Sequence, residues 1–365
     1  HDEALVLRIE RNDHGNARGN VRVTVVGLPT VTEDDRRRLE AARLEATACL
    51  GFPNTTMTGD SAATFVAAAK LHDKIDDRSA SGIALLHAAG SRYTRDADWE
   101  QAAELATDAL GRLDETDAPA LTAFAMRLLG AALAQHANTL GPDTHSGRGT
   151  VNRARKHLTE AATRFQSLGL AYEAGYALNY RGVSYLEAGE REQARADFTQ
   201  ALDLFRSAHD PPAQALSLQS LALLSYEDGG LGDAMREFDQ ALALIPRDQE
   251  PGNYAHTLHN SALPLRVLGR FDEAMERCLE AGNILRSLGD RDGEARALHG
   301  LGTTLKYVGE PERARDFLRA AAQLRSESGA NRERAITLIV LGQIERDAGN
   351  SAAALALHRE ASSLV

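Results

Sequence analysis

The chain has 365 residues, 43% of them hydrophobic and 25% charged, a balance that suits a folded helical protein. Its 41 Lys and Arg against 52 Asp and Glu leave a net charge of −11, which argues against nucleic acid as a general partner because phosphate contacts need a basic face. No apolar run approaches the ~20 residues of a membrane helix, and Cys49 and Cys278 form no CxxC pair, so a reduced cytoplasmic protein with no membrane partner is the expectation.

The first residue is His1 rather than Met, which suggests one portion of a larger protein. Leu5, Leu7 and Ile9 alternate with other residues, as do Val21, Val23 and Val25, and the stretch between them is loop chemistry. This pattern predicts a short β-hairpin over 1–32, ended by Pro29. An isolated hairpin is marginal in water, so it needs a surface to dock on.

A helix is expected from Glu33 to Leu50, with Thr32 and Asp35 as its cap and Gly51 to Asn54 as its stop. A second, Ala-rich helix runs from Ser61 to about Ile75. Together they read as an atypical helical cap over 33–80. His72-Asp73 with Asp76 and Asp77 lacks further ligands at recognisable spacing, so a solvated charged face is expected rather than a metal site.

From 81 to 365 the chain repeats itself. Gly189, Gly229, Gly269, Gly309 and Gly349 stand 40 residues apart, and an Ala follows each by five residues. Ala201, Ala241, Ala281, Ala321 and Ala361 follow seven further on. Each unit reads as two amphipathic helices joined by a Gly stop, with small residues where the helices cross. Neither helix can hide its apolar stripe alone, so the units must stack as an all-α solenoid. Units begin near 83, 123, 175, 215, 255, 295 and 335. Gly90, Tyr93, Trp99, Ala102 and Ala109 take repeat positions in the first, with Trp99 as a core aromatic. The step from the second unit to the third is 12 residues too long, which predicts an inserted loop over 139–150. Its glycines and Arg148 could hold an anion, but a partner-contacting or disordered loop is the plainer reading.

No HExxH, GxSxG or Walker pattern occurs, so neither catalysis nor a cofactor is expected from this chain. Cys278 occupies a second-helix packing position and reads as a structural thiol.

The order Gly182-x-x-Tyr185, Gly189, Ala194, Phe198, Ala201 resembles the tetratricopeptide (TPR) repeat. The 40-residue unit, with linkers such as Ser287-Leu-Gly-Asp290, is similar to the subclass found in kinesin light chains, LGN-type adaptors and bacterial signalling proteins. Cys278, Leu318 and His358 depart from it by replacing the second-helix aromatic. The resemblance implies a right-handed solenoid of about seven repeats, whose first helices line a groove that binds protein or peptide. It also implies that the second, fifth, ninth and twelfth places of each unit face that groove. Those places hold Asn179, Gln219, His256, His259, Arg266, Arg296, His299, Lys306 and Arg346. An acidic chain that directs cations inward suggests a groove for an acidic segment, gripped by paired Arg hydrogen bonds. Where they contact the anion, the histidines would strengthen such binding below pH ~6.5. The last face, with Leu355 and Leu357, lacks a polar cap and suggests self-association. The function expected is a scaffold or regulatory module in bacterial signalling. The alternative is the sensor part of a larger enzyme, a CHAT caspase-like protease, a signalling ATPase or a transcription regulator.

Overall fold

Helix follows helix here because amphipathic stretches of similar length alternate with turns in which one residue takes the left-handed conformation. In the computed structural model, which describes residues 7–11, 21–25, 32–49, 60–141 and 144–364, these stretches form sixteen α-helices. The chain divides into two compact units, 1–184 and 185–365.

The N-terminal unit contains α1 (Glu33–Cys49), α2 (Ser61–Lys74), α3 (Arg78–Ser91), α4 (Trp99–Leu110), α5 (Pro119–Leu140) and α6 (His145–Ser167). It also holds most of α7 (Ala171–Glu187). Thr32 Oγ1 accepts the Asp35 amide at 3.1 Å while the Thr32 amide donates to Asp35 Oδ2 at 3.0 Å, a reciprocal cap that starts α1. The hairpin expected over 1–32 lies largely outside the described residues. Of it, the backbones of β1 (Leu7–Arg11) and β2 (Val21–Val25) run antiparallel, with Ile9 opposite Val23.

The C-terminal unit contains α8 (Arg191–Ser207), α9 (Pro211–Glu227), α10 (Leu231–Leu244), α11 (Pro251–Val267) and α12 (Phe271–Ser287). It continues with α13 (Arg291–Val308), α14 (Pro311–Glu327), α15 (Asn331–Asp347) and α16 (Ser351–Ser363). Pro at the first helical positions of α9, α11 and α14 loses no hydrogen bond, since that amide has no helical partner. Gly229, Gly269, Gly309 and Gly349 end first helices with φ between 74° and 87°, where a Cβ would be strained. His209 takes the corresponding turn between α8 and α9 at φ 54° and holds it through a 2.9 Å contact from Nδ1 to the Arg206 carbonyl.

The core is the seam between consecutive helices. Phe198, Phe238, Cys278 and Leu318 occupy the same position of successive second helices and are all buried. Burying each such side chain contributes about 1.5–3 kcal/mol. Gly302 explains how closely the helices cross: a Cβ there would lie 2.7 Å from Leu318 Cγ and 3.1 Å from the Ala314 carbonyl. First helices also touch one another, α9 with α11, α11 with α13 and α13 with α15, so they share one face of this unit.

Three local expectations are corrected. The 12 additional residues near 139–150 do not make a long loop, because α5 runs to Leu140 and α6 starts at His145. Both helices are lengthened instead, to 22 and 23 residues. Thr144 caps α6 through the Gly147 amide, and a Cβ on Gly147 would lie 2.1 Å from the Gly141 carbonyl, so tight turn packing accounts for that glycine. In the first unit the small residue buried at the helix crossing is Ala89, whereas Gly90 faces open space. Trp99 is the first residue of α4 and only half-buried, with its ring edge-on to Tyr93 at 5.3 Å, so it is not a core aromatic. His72 and Asp73 turn to separate partners, Glu45 at 3.1 Å and Arg112 at 3.2 Å.

Candidate partner-binding face

Helical spacing decides which side chains reach the shared face of the C-terminal unit. On α11 the face carries His256, His259 and Arg266; on α13, Arg296, His299 and Lys306; on α15, Gln343 and Arg346. Two glycines of α13 make room for the imidazoles of α11. A Cβ on Gly293 would lie 2.8 Å from His256 Cε1, and one on Gly300 would lie 3.1 Å from His259 Cε1 and 3.0 Å from Cys278 Sγ.

Most of the polar groups on this face are already engaged. His256 Nε2 lies 3.0 Å from Asp290 Oδ2, and Arg296 reaches both His256 Nδ1 at 3.5 Å and Asp292 at 3.2 Å. Lys306 Nζ donates to Gln343 Oε1 at 2.5 Å. Arg346 is well exposed and pairs with Asp347 at 3.2 Å. Gln219 of α9 donates to Asn253 Oδ1 at 3.3 Å, and Asn253 donates in turn to Glu250 at 3.1 Å. Arg266 differs: it is half-buried, and among the described residues no carboxylate or hydrogen-bond acceptor pairs with it. Asn179 lies in the N-terminal unit, buried in α7 with its Nδ2 unpartnered.

A buried cation that sequence spacing misses joins the cluster from behind. Arg325 of α14 is 4% exposed and donates to the Glu333 carbonyl at 2.9 Å and to Thr337 Oγ1. Thr337 Oγ1 lies 3.2 Å from His299 Nδ1, so Arg325, Thr337 and His299 form one chain. The only signal for it was a Thr on the inner side of α15, which its own helix could have satisfied through the Glu333 carbonyl.

The imidazoles record the charge around them. Burial, then Arg296, His299, Arg266 and His256, push His259 down to about 3. Burial, then Arg325 and Arg266, push His299 down to about 4. Burial and Arg296 lower His256 as well, against the pull of Asp290. The expectation that these rings become cations below pH ~6.5 is therefore corrected: in the unliganded fold desolvation and neighbouring arginines keep them neutral. Burial pushes the Cys278 thiol up to about 12, so it is no thiolate at neutral pH. The face thus presents imidazoles with depressed proton affinity around an arginine that pairs with no carboxylate among the described residues.

Residues 253–327, close to the extent of α11 to α14, match the tetratricopeptide repeat family model. No curated protein matches the chain in sequence. Among solved structures, the apo form of the quorum sensor NprR from B. thuringiensis is similar at TM-score 0.66 and 14% identity, over 92% of this chain and 89% of that one. A STAND signal-transduction ATPase from Pyrococcus horikoshii with a tetratricopeptide repeat sensor, PH0952, is similar at TM-score 0.58 and 12% identity, over 92% of this chain and 52% of that one. A Rap protein complexed with Competence and Sporulation Factor is similar at TM-score 0.56 and 17% identity, over 80% and 77% of the two chains. At these identities the likeness is one of fold.

Proposed function

We infer that this chain, a tetratricopeptide-repeat protein, is a non-catalytic regulatory module that binds an acidic protein segment on the face shared by α11, α13 and α15. The observation that carries this reading is Arg266, a half-buried residue whose guanidinium pairs with no carboxylate or acceptor among the described residues, on a chain of net charge −11. A guanidinium left unpaired on this face is free to take a partner's carboxylate with two parallel hydrogen bonds. Arg296, held by Asp292 and His256, and Lys306, held by Gln343, lie on the neighbouring helix in exchangeable contacts. His256, His259 and His299 border the same groups, with His256 bridging Asp290 and Arg296 and His299 Nδ1 against Thr337. A bound carboxylate would raise their proton affinity, so proton uptake should accompany binding. Among the described residues no helix is long and apolar enough to cross a membrane.

The setting we propose is bacterial cytoplasmic signalling, in line with likeness to a quorum sensor and to a Rap protein complexed with Competence and Sporulation Factor. A second reading, the sensor part of a larger signalling ATPase, draws on the likeness to PH0952, a STAND protein with a tetratricopeptide repeat sensor, of which this chain spans about half. The test is fluorescence anisotropy with a labelled Glu-rich peptide, comparing the natural chain with Arg266→Glu. Charge reversal should weaken binding at least tenfold and flatten its dependence on salt. Equal affinity in both proteins would sink the assignment of the face.

A further inference from the structure

A different site lies in the N-terminal unit. A half-enclosed cavity of about 480 Å³ opens between α3, α5 and α7. This is within the range of roughly 300–1,000 Å³ seen for small-molecule sites. Its walls include three aromatic rings, Tyr93, Phe124 and Tyr180, with Leu128 and Gly90 between them.

Three independent features keep this space open. The first is Gly90, near the end of α3. A mid-helix glycine costs roughly 0.5–1 kcal/mol relative to Ala. Gly82 on the same helix has a packing reason, since its Cβ would lie 2.9 Å from Leu113 Cγ. A Cβ on Gly90 meets nothing within 4 Å and would stand in the cavity. The second is a π-helical turn, Arg92–Asp96, which ends on Ala97 at φ 52°. Such turns are rare, and the left-handed Ala adds about 1–2 kcal/mol of strain. Arg92 pins the turn through Asp60 at 2.5 Å and Asp96 at 2.6 Å, which holds Tyr93 at the cavity wall. The third is Arg127. Its guanidinium lies 4.4 Å over the Phe124 ring and 3.3 Å from Glu173, yet its buried Nε–H finds no acceptor.

Rings supply faces and edges for another ring, and the orphaned Nε–H asks for an acceptor. Because Glu173 already balances the charge of Arg127, the acceptor need not be an anion. We propose that this cavity binds a small, free, uncharged aromatic molecule bearing a hydrogen-bond acceptor. A single peptide side chain would leave much of the volume unfilled.

Trp99, the one tryptophan of the chain, reports on the site because its ring meets Tyr93 at 5.3 Å. The experiment titrates the full chain with 4-hydroxybenzamide, following Trp99 emission and saturation-transfer NMR. Cyclohexanecarboxamide removes the ring, toluene removes the acceptor, and the tripeptide Gly-Tyr-Gly presents the ring on a peptide. 4-Hydroxybenzamide should bind in the millimolar range or tighter, at least fivefold better than each of the other three. Gly90→Leu, which fills open space and favours the helix, should keep the fold by circular dichroism and weaken binding at least tenfold. Gly90→Ala should fall between. Absence of binding, or affinity unchanged in a folded Gly90→Leu protein, overturns the proposal. Preference for Gly-Tyr-Gly overturns the free-molecule assignment.

Discussion

Acid should unfold the C-terminal unit through His259 and His299 before it protonates most of the carboxylates. In the fold these rings titrate at about 3 and about 4; in the unfolded chain they return to an ordinary value near 6.5. Both folded values are depressed, so the unfolded chain binds more protons below pH 6.5. Their contribution is complete above that pH and is lost as pH falls from 6.5 toward the folded values. At pH 5 each ring is still neutral in the fold, so the loss depends only on the distance from the unfolded value. That distance is about 1.5 pH units, or about 2 kcal/mol per ring and ~4 kcal/mol for both. The rings are partly covered rather than sealed, so this is an upper figure. Urea unfolding at pH 7.5 and 5.0 measures it, with the His259→Asn/His299→Asn double variant as the control. The natural chain should lose several kcal/mol more than the double variant over that interval. Equal losses in the two proteins, or imidazole Cε1–H resonances that titrate near 6.5 in the folded chain, would refute the reasoning.

Two further expectations concern packing. Gly302→Ala should destabilise the chain by about 1–2 kcal/mol in urea unfolding, because the strain of overpacking against Leu318 and the Ala314 carbonyl exceeds the gain in helix propensity. Gly90→Ala, with open space in front of it, should be neutral or slightly stabilising in the same assay. Cys278, buried with a thiol pushed up to about 12, should stay unreactive to a disulfide reagent at pH 8 until urea unfolds the chain.

The repeat was legible without coordinates because it is written twice, in periodic glycines that end first helices and in small residues where helices cross. Both have local causes: a left-handed turn tolerates glycine, and a close crossing tolerates only a small side chain. The chemistry of the shared face was partly legible for the same reason, since helical spacing brings His256, His259 and Arg266 to one side of α11. Spacing within one helix says nothing about what the neighbouring helix contributes. Arg325 comes from the back of α14 to His299 through Thr337, and Gly293 and Gly300 open the space that His256 and His259 fill. Those relations also reverse the protonation expected of the histidines, because burial and surrounding arginines act through space. The aromatic cavity beside Gly90 depends on three helices and a strained π turn, and the same glycine looks from the sequence like a packing residue. By itself, then, the amino-acid sequence determined the repeat and, in its regular units, the helices, their turns and the side of a helix on which a residue lies. Tertiary structure alone decided which charges meet, which glycines pack and which stand before open space, because these are set by distances between segments that are far apart in the chain.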